Sequence, residues 1–240
     1  MTVVLIGLLT IVLECYTNQC IPQQIHFKDT YIPNLIDKTL VIETNLEKAQ
    51  KITYMVCKQV SYDTFYHAYH AFLAGNITKE MPILKYLLLG LLVGPKVNTM
   101  LSVDYVLTVT KLSKLVLGEA HRMKGLVRFI SIGNNTFYSI VHLDNNVIEQ
   151  IGKHFIHRLP TQNFIIVDKT RNIAFLYNTK DYFITNIDNL ALPSFDTEEE
   201  FYQTLWKTFY QAISISERKN LRLQAAYMPR RYWKDLVEMQ

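Results

Sequence analysis

The residues best suited to chemistry crowd the end of the chain. Between Leu205 and Gln240 stand seven bases (Lys207, Arg218, Lys219, Arg222, Arg230, Arg231 and Lys234) against three acids, with Trp206, Phe209, Tyr210, Tyr227, Tyr232 and Trp233 among them. Cations neutralise phosphates and flat rings stack on exposed bases, so the mixture suits a nucleic-acid strand. It also suits amphipathic helices that bury rings and expose bases. A second cluster is GEAHRMKGLVRF (118–129). At about 100° per residue, Lys111, Lys114, His121 and Arg122 share one helix arc, and Leu112, Val116, Ala120 and Met123 the other. That cationic arc suits phosphates or simply water. In a third cluster, HFIHRLPTQNFIIVD (154–168), His and Arg close a helix, where positive charge is favoured. Asp168 then ends a strand, a position for a functional carboxylate or a turn-forming one.

Other chemistries find no support. The sequence has no G-x-G-x-x-G, Walker A, G-x-S-x-G or H-E-x-x-H pattern. His67 and His70, like His154 and His157, stand three apart on helices, but no acid or thiol set completes a metal site. No metal and no cofactor is therefore expected. Cys15, Cys20 and Cys57 fit reduced thiols in a cytoplasmic protein better than a disulfide framework. The net charge is only +4, so an anion site must come from local clustering. The acidic stretch around Asp196 and Glu198–Glu200 reads as a helix start capped by Thr197 or Asp196.

These residues need elements to hold them. With 240 residues, 49% of them apolar, and only eight glycines, the chain can bury a substantial core and is not disordered. VVLIGLLTIVL (3–13) falls short of the ~20 residues that span a bilayer and follows no base. It reads as a buried helix packed with Met81–Val93 rather than as a signal sequence, and no membrane association is expected. Periodicity predicts helices over 5–16, 45–59, 62–74, 81–93 and 103–124, with a short strand at 39–43. From residue 126 the pattern alternates. VRFISI (127–132) and FYSIVHL (137–143) flank a Gly-Asn-Asn turn, and NFIIVD (163–168), IAFLYN (173–178) and YFITNI (182–187) follow a helix over 146–158. Further helices are expected at 197–214, at 221–227 and after Pro229. The fold class is α+β: a helical N-terminal part, a roughly five-stranded and mostly antiparallel sheet flanked by helices, and a helical C-terminus. Residues 1–80 form the helical part and 81–240 the α+β domain, the two sharing one core.

On VLGEAHRMKGLVRF (116–129), HFIHRLPTQNFIIVD (154–168), LWKTFYQAISISERKN (205–220) and YMPRRYWKDL (227–236), the chain resembles a bacterial family assigned to DNA metabolism or DNA repair. That family is defined by a C-terminal domain of unknown function. The resemblance runs from about Met81 to the end, and more weakly through GLLTIVLECY (7–16), which is similar to the family's first helix. It implies a DNA-related role but no particular reaction. It also implies a radical-SAM-type protein as partner, and a uracil-DNA-glycosylase-like protein through members fused to such a domain. The residues it points to are His121, Arg122, Lys124 and Arg128; His154 and Arg158; Glu217, Arg218, Lys219 and Asn220; and Met228 to Trp233. His157 stands outside the family pattern.

Three functions compete. In a DNA-binding accessory protein, Arg122, Lys124, Arg128, Arg158, Arg218, Lys219, Arg230 and Arg231 contact phosphates, while Tyr232 and Trp233 stack on a base of single-stranded or damaged DNA. In an enzyme acting on a damaged base or sugar, His121 or His154 is the acid-base group, with Glu217 or Asp168 as carboxylate. In an interaction protein, the aromatic, basic tail docks a partner. The expectation for a shared site is that Arg122, His154, Arg158 and Arg218 surround one cleft.

Overall fold

A computed structural model describes residues 3–28, 31–32, 38–75, 78–133, 135–187, 199–213 and 220–239. Its backbone gathers into two compact units, Met1–Leu117 and Gly118–Gln240.

The first unit is helical. Helices α1 (Val3–Asn18), α2 (Leu46–Met55), α3 (Tyr62–Leu73) and α4 (Glu80–Val93) are followed by a 3-10 turn at Gly94–Thr99, and α2 runs into a π-helical stretch at Val56–Val60. Asn45 and Ser61 start α2 and α3 by accepting from Lys48 N and Thr64 N, which satisfies donors the helix itself cannot. Helix α1 packs on α2 and α4 and buries Leu8, Leu9 and Val12, as its apolar run predicts. Gly94, at φ +71° and before Pro95, stops α4 where the sequence places the stop. Tyr86, fully buried, donates to Asn98 Oδ1 at 2.5 Å and lies 3.4 Å from His67 Nδ1. Burial pushes its phenol up to about 12, so it remains a donor. His67 thus lies within hydrogen-bond reach of Tyr86, while His70 stacks on Tyr66 with its Nδ1 buried and without a hydrogen-bond partner. The strand expected at 39–43 does not form: those residues have no ladder partner and are almost all exposed. Among the described residues the apolar run Leu40, Val41 and Ile42 has no neighbouring strand to satisfy its backbone.

The division between the units falls inside the long helix α5 (Asp104–Leu126). Beyond it come β1 (Ile130–Ser131), β2 (Thr136–Val141), α6 (Ile148–Arg158), β3 (Asn163–Asp168), β4 (Ile173–Tyr177), β5 (Tyr182–Asn186), α7 (Glu199–Ala212) and α8 (Leu221–Tyr227). Short 3-10 helices follow at Arg230–Asp235 and Val237–Met239. The five strands pair in sequence order. β2 and β3 are parallel and the other pairs antiparallel, so the sheet is mixed and mostly antiparallel. The parallel pair exists because α6 carries the chain back between its strands, a return that no tight turn makes. β1 is shorter than VRFISI suggested because α5 persists to Leu126 and Val127 N still bonds Met123 O. Gly133 (φ +82°) and Asn135 (φ +53°) turn β1 into β2, as the Gly-Asn-Asn sequence predicts. The cap assigned to Asp196 or Thr197 lies outside the described residues.

Helix α6 buries Ile148, Ile151, Gly152 and Phe155, spaced to line one face. On the sheet, Phe164 and Phe175 stack with centroids 6.0 Å apart. The helix comes so close that a Cβ on Gly152 would lie 2.5 Å from the Phe175 ring. Gly152→Ala should therefore destabilise by about 1–3 kcal/mol through overpacking, although alanine favours a helix. Urea melts followed by the emission of Trp206 and Trp233, the only two tryptophans, both in this unit, measure the effect. A stabilised variant would mean that Phe175 moves aside freely.

Candidate functional site

At the C-terminal ends of the parallel strands, where open sheets bind ligands, the loop His142–Val147 enters α6. Each of its first residues is held. Glu119, buried on α5, accepts from Asp144 N at 2.8 Å, Asn145 N at 2.8 Å and Asn145 Nδ2 at 2.5 Å. It also accepts from the Tyr232 hydroxyl at 2.7 Å. Burial, with the Glu119 carboxylate beside it, pushes the Tyr232 phenol well up, which keeps it a donor. Asp168, fully buried at the end of β3, accepts from Leu143 N and Thr170 N and pairs with Arg171 at 3.0 Å. Arg171 donates in turn to the carbonyls of Leu143 and Asp144 at 2.9 and 2.6 Å. Asp235 accepts the backbone N–H of His142 on Oδ2 at 3.0 Å and its ring Nδ1 on Oδ1 at 2.8 Å. Arg231 pairs with Asp144 at 2.7 Å and lies 4.7 Å above the Tyr232 ring.

A different group of side chains gathers at the far end of α6. As the crossover between parallel strands, this helix ends near the start of β3, about 16 Å from its own beginning at ~1.5 Å per residue. There His154 is half-buried, and Lys124, His157 and Arg158 are exposed. The His154 imidazole titrates below its ordinary value, through burial first and then through Lys124, Arg158 and His157. Lys124 and Arg158 therefore lie close enough to His154 to oppose its protonation. Among the described residues no carboxylate ion-pairs with any of the four.

The family model of DUF4130, a domain of unknown function, matches residues 78–238. The chain belongs to this family. No curated protein and no solved structure matches it. The matched DUF4130 region contains every candidate site residue above, so their positions are features of the family domain in this chain.

The DUF4130 domain brings only some of those candidates together. Lys124, His154 and Arg158 converge. His121 is exposed on α5, and Arg122, in the same helix, is half-buried with its Nε enclosed and without a hydrogen-bond partner. Glu217, Arg218 and Lys219 lie outside the described residues, and with them the Arg218 corner of the expected cleft. Asn220 caps α8. Arg231 pairs with Asp144 of the strand-end loop, at the opposite end of α6 from Arg158, and Arg230 precedes it and lies over the Trp233 ring.

Two assigned roles need correction. Tyr232 has no exposed surface, and its hydroxyl is spent on Glu119, so its ring is closed to a base. Arg128 is spent as well. Its Nε and Nη2 hold Glu238 at 3.2 and 2.6 Å, and its Nη1 caps α5 through the carbonyls of Gly125 and Val127. Those four bonds occupy four of the five N–H groups of a guanidinium, which leaves little to offer a phosphate. Trp233 is half-buried, donates from Nε1 to Met228 O at 2.7 Å and has Arg230 5.7 Å from its ring.

Sequence reasoning missed Glu119, His142, Arg171 and Asp235. Apart from Arg171 and Asp168, their partners are distant along the chain: 93 residues separate His142 from Asp235, and 113 separate Glu119 from Tyr232. Spacing cannot reveal such pairs. The usable signal was a charge inside an apolar helix arc: Glu119 adjoins Ala120, on the arc with Val116 and Met123. Among the described residues, no three His, Cys, Asp or Glu side chains group as metal ligands, and no single helix is long and apolar enough to cross a membrane.

Proposed function

We propose that the protein is a nucleic-acid-binding accessory factor of a DNA repair or modification system. The observation that carries this reading is the pair of unneutralised cations, Lys124 and Arg158, beside His154. Holding like charges together costs free energy, and an anion between them removes that cost. A phosphate backbone supplies anions at regular spacing, and exposed Arg230 and half-buried Trp233 add a second contact region. The site works in the cytoplasm, where the three cysteines, free in the structure, stay reduced. The strand is single-stranded or damaged DNA, and the partners are a radical-SAM-type protein and a uracil-DNA-glycosylase-like protein, as the resemblance implies.

The test is the salt dependence of affinity for a fluorescent single-stranded oligonucleotide. Lys124→Ala and Arg158→Ala should each weaken binding to all sequences. Each should also reduce the slope of log K against log salt by roughly 0.7, because each removes one phosphate contact and its released counterion. A double variant with wild-type affinity and slope would refute the cluster as the binding surface.

A further inference from the structure

The pair His142–Asp235 lies apart from the cationic cluster, and the nucleic-acid reading does not use it. Asp235 has 6% of its side chain exposed and His142 33%. Both carboxylate oxygens of Asp235 serve His142, one taking the ring Nδ1 at 2.8 Å and the other the backbone N–H at 3.0 Å. A carboxylate accepts, so Nδ1 donates, and in the neutral ring the lone pair is on Nε2. Among the described residues nothing hydrogen-bonds to Nε2. The ring is fixed in position and tautomer, partly open to solvent, with a free basic nitrogen. A general base needs this arrangement, because its basic nitrogen must be available and aimed.

The location agrees. His142 directly follows β2, and Val141 is in register with Asp168, so the dyad stands at the C-terminal ends of the two parallel strands. Cations flank it. Lys169 is exposed and bonded through its N–H to Val141 O at 3.0 Å, and Arg231 is half exposed one turn before Asp235. The nearby carboxylates of Asp144 and Asp168 are paired with Arg231 and Arg171.

We propose that His142 is the general base of a phosphodiester-hydrolysing site, with Asp235 as its positioning residue and the exposed Lys169 as the cation that receives the diester. The choice of a phosphodiester rests on the nucleic-acid reading above. In the step, Nε2 takes a proton from water as the water oxygen bonds to phosphorus. The bond from phosphorus to one ester oxygen breaks, and its electron pair leaves on that oxygen, which takes a proton from solvent. The imidazolium then returns its proton to solvent.

The test uses the full chain, bis(p-nitrophenyl) phosphate and a chelator to silence contaminating metal-dependent nucleases. The wild-type protein should release p-nitrophenolate. His142→Asn keeps an N–H for Asp235 but no base, and should lower kcat by roughly 100-fold or more. His142→Ala should lose activity that added imidazole partly restores, a rescue that a structural role does not predict. Asp235→Asn should lower kcat with little change in KM. Tryptophan-monitored melts confirm that each variant is folded. No hydrolysis by the wild-type protein, a His142→Asn rate equal to wild type, or a lost rate that imidazole leaves unrestored would each overturn the assignment. Because the small diester does not need the Lys124–Arg158 cluster, an intact salt slope without hydrolysis sinks the dyad alone. Hydrolysis without DNA binding sinks the accessory-factor reading instead.

Discussion

Glu119→Ala is expected to cost the unit formed by residues 118–240 at least about 4 kcal/mol, beyond the range of ordinary point substitutions. The Glu119 carboxylate accepts from two backbone N–H groups, the Asn145 amide and the Tyr232 hydroxyl. Asn145 and Tyr232 are 3% and 0% exposed, so water has little access to replace the lost acceptor. Each buried donor left unpaired costs about 1–3 kcal/mol, and alanine orphans several at once. Glu119→Gln keeps one acceptor oxygen but turns an amide NH2 against donors, so it should fall between alanine and wild type. Tyr232→Phe removes one donor and leaves the others, and should cost about 1.5–3 kcal/mol, as for a bond to a charged acceptor. Urea melts read by Trp206 and Trp233 rank the three. Should the alanine variant melt within about 1 kcal/mol of wild type, the loop does not depend on Glu119.

Local elements were legible because local rules decide them. NFIIVD is β3 with the boundaries its apolar run suggests, and α8 runs over Leu221–Tyr227 as expected. Gly133 and Asn135 take the positive φ that their types permit at low cost. What the sequence hid depends on tertiary placement. The strand expected at 39–43 had suitable residues but no neighbour, whereas β2 and β3 found each other across α6. The candidate site divided in the same way. Lys124 stands in the last turn of α5 and Arg158 ends α6, the helix that carries His154, and charge at helix C-termini is visible in sequence. Arg128 looked equally available, yet its donors are consumed by a glutamate 110 residues away. Tyr232 and Trp233 are adjacent, yet one is core and the other half-buried. A basic-aromatic composition therefore overcounts the surface. It cannot separate a cation that faces solvent from one that closes a buried pair.

That overcount makes Arg128 the sharpest remaining test. Glu238 has a side chain only 1% exposed, and Arg128 clasps it through two nitrogens. The indole of Trp206 donates to the same carboxylate at 3.0 Å, and the guanidinium lies 5.6 Å from the Trp206 ring. Burial alone would raise the Glu238 pKa, but Arg128, the residue's own backbone N–H and Trp206 overcome that effect and hold it below the ordinary value of 4.5. A carboxyl depressed in the folded state contributes stability that is fully present above its unfolded pKa and lost as pH falls through the folded one. The Glu238 contribution should therefore be complete at neutral pH and fade below about 4.5. Arg128→Ala leaves a buried, uncompensated carboxylate and should cost about 3–5 kcal/mol at pH 7. Arg128→Ala with Glu238→Gln should recover much of that loss, because no charge then remains to be desolvated. The alanine variant should also lose less, relative to wild type, at pH 4 than at pH 7, since its orphaned carboxyl can protonate. If instead Arg128→Ala melts like the wild-type protein while DNA affinity falls by roughly an order of magnitude, the arginine belongs to the nucleic-acid surface and not to this clasp.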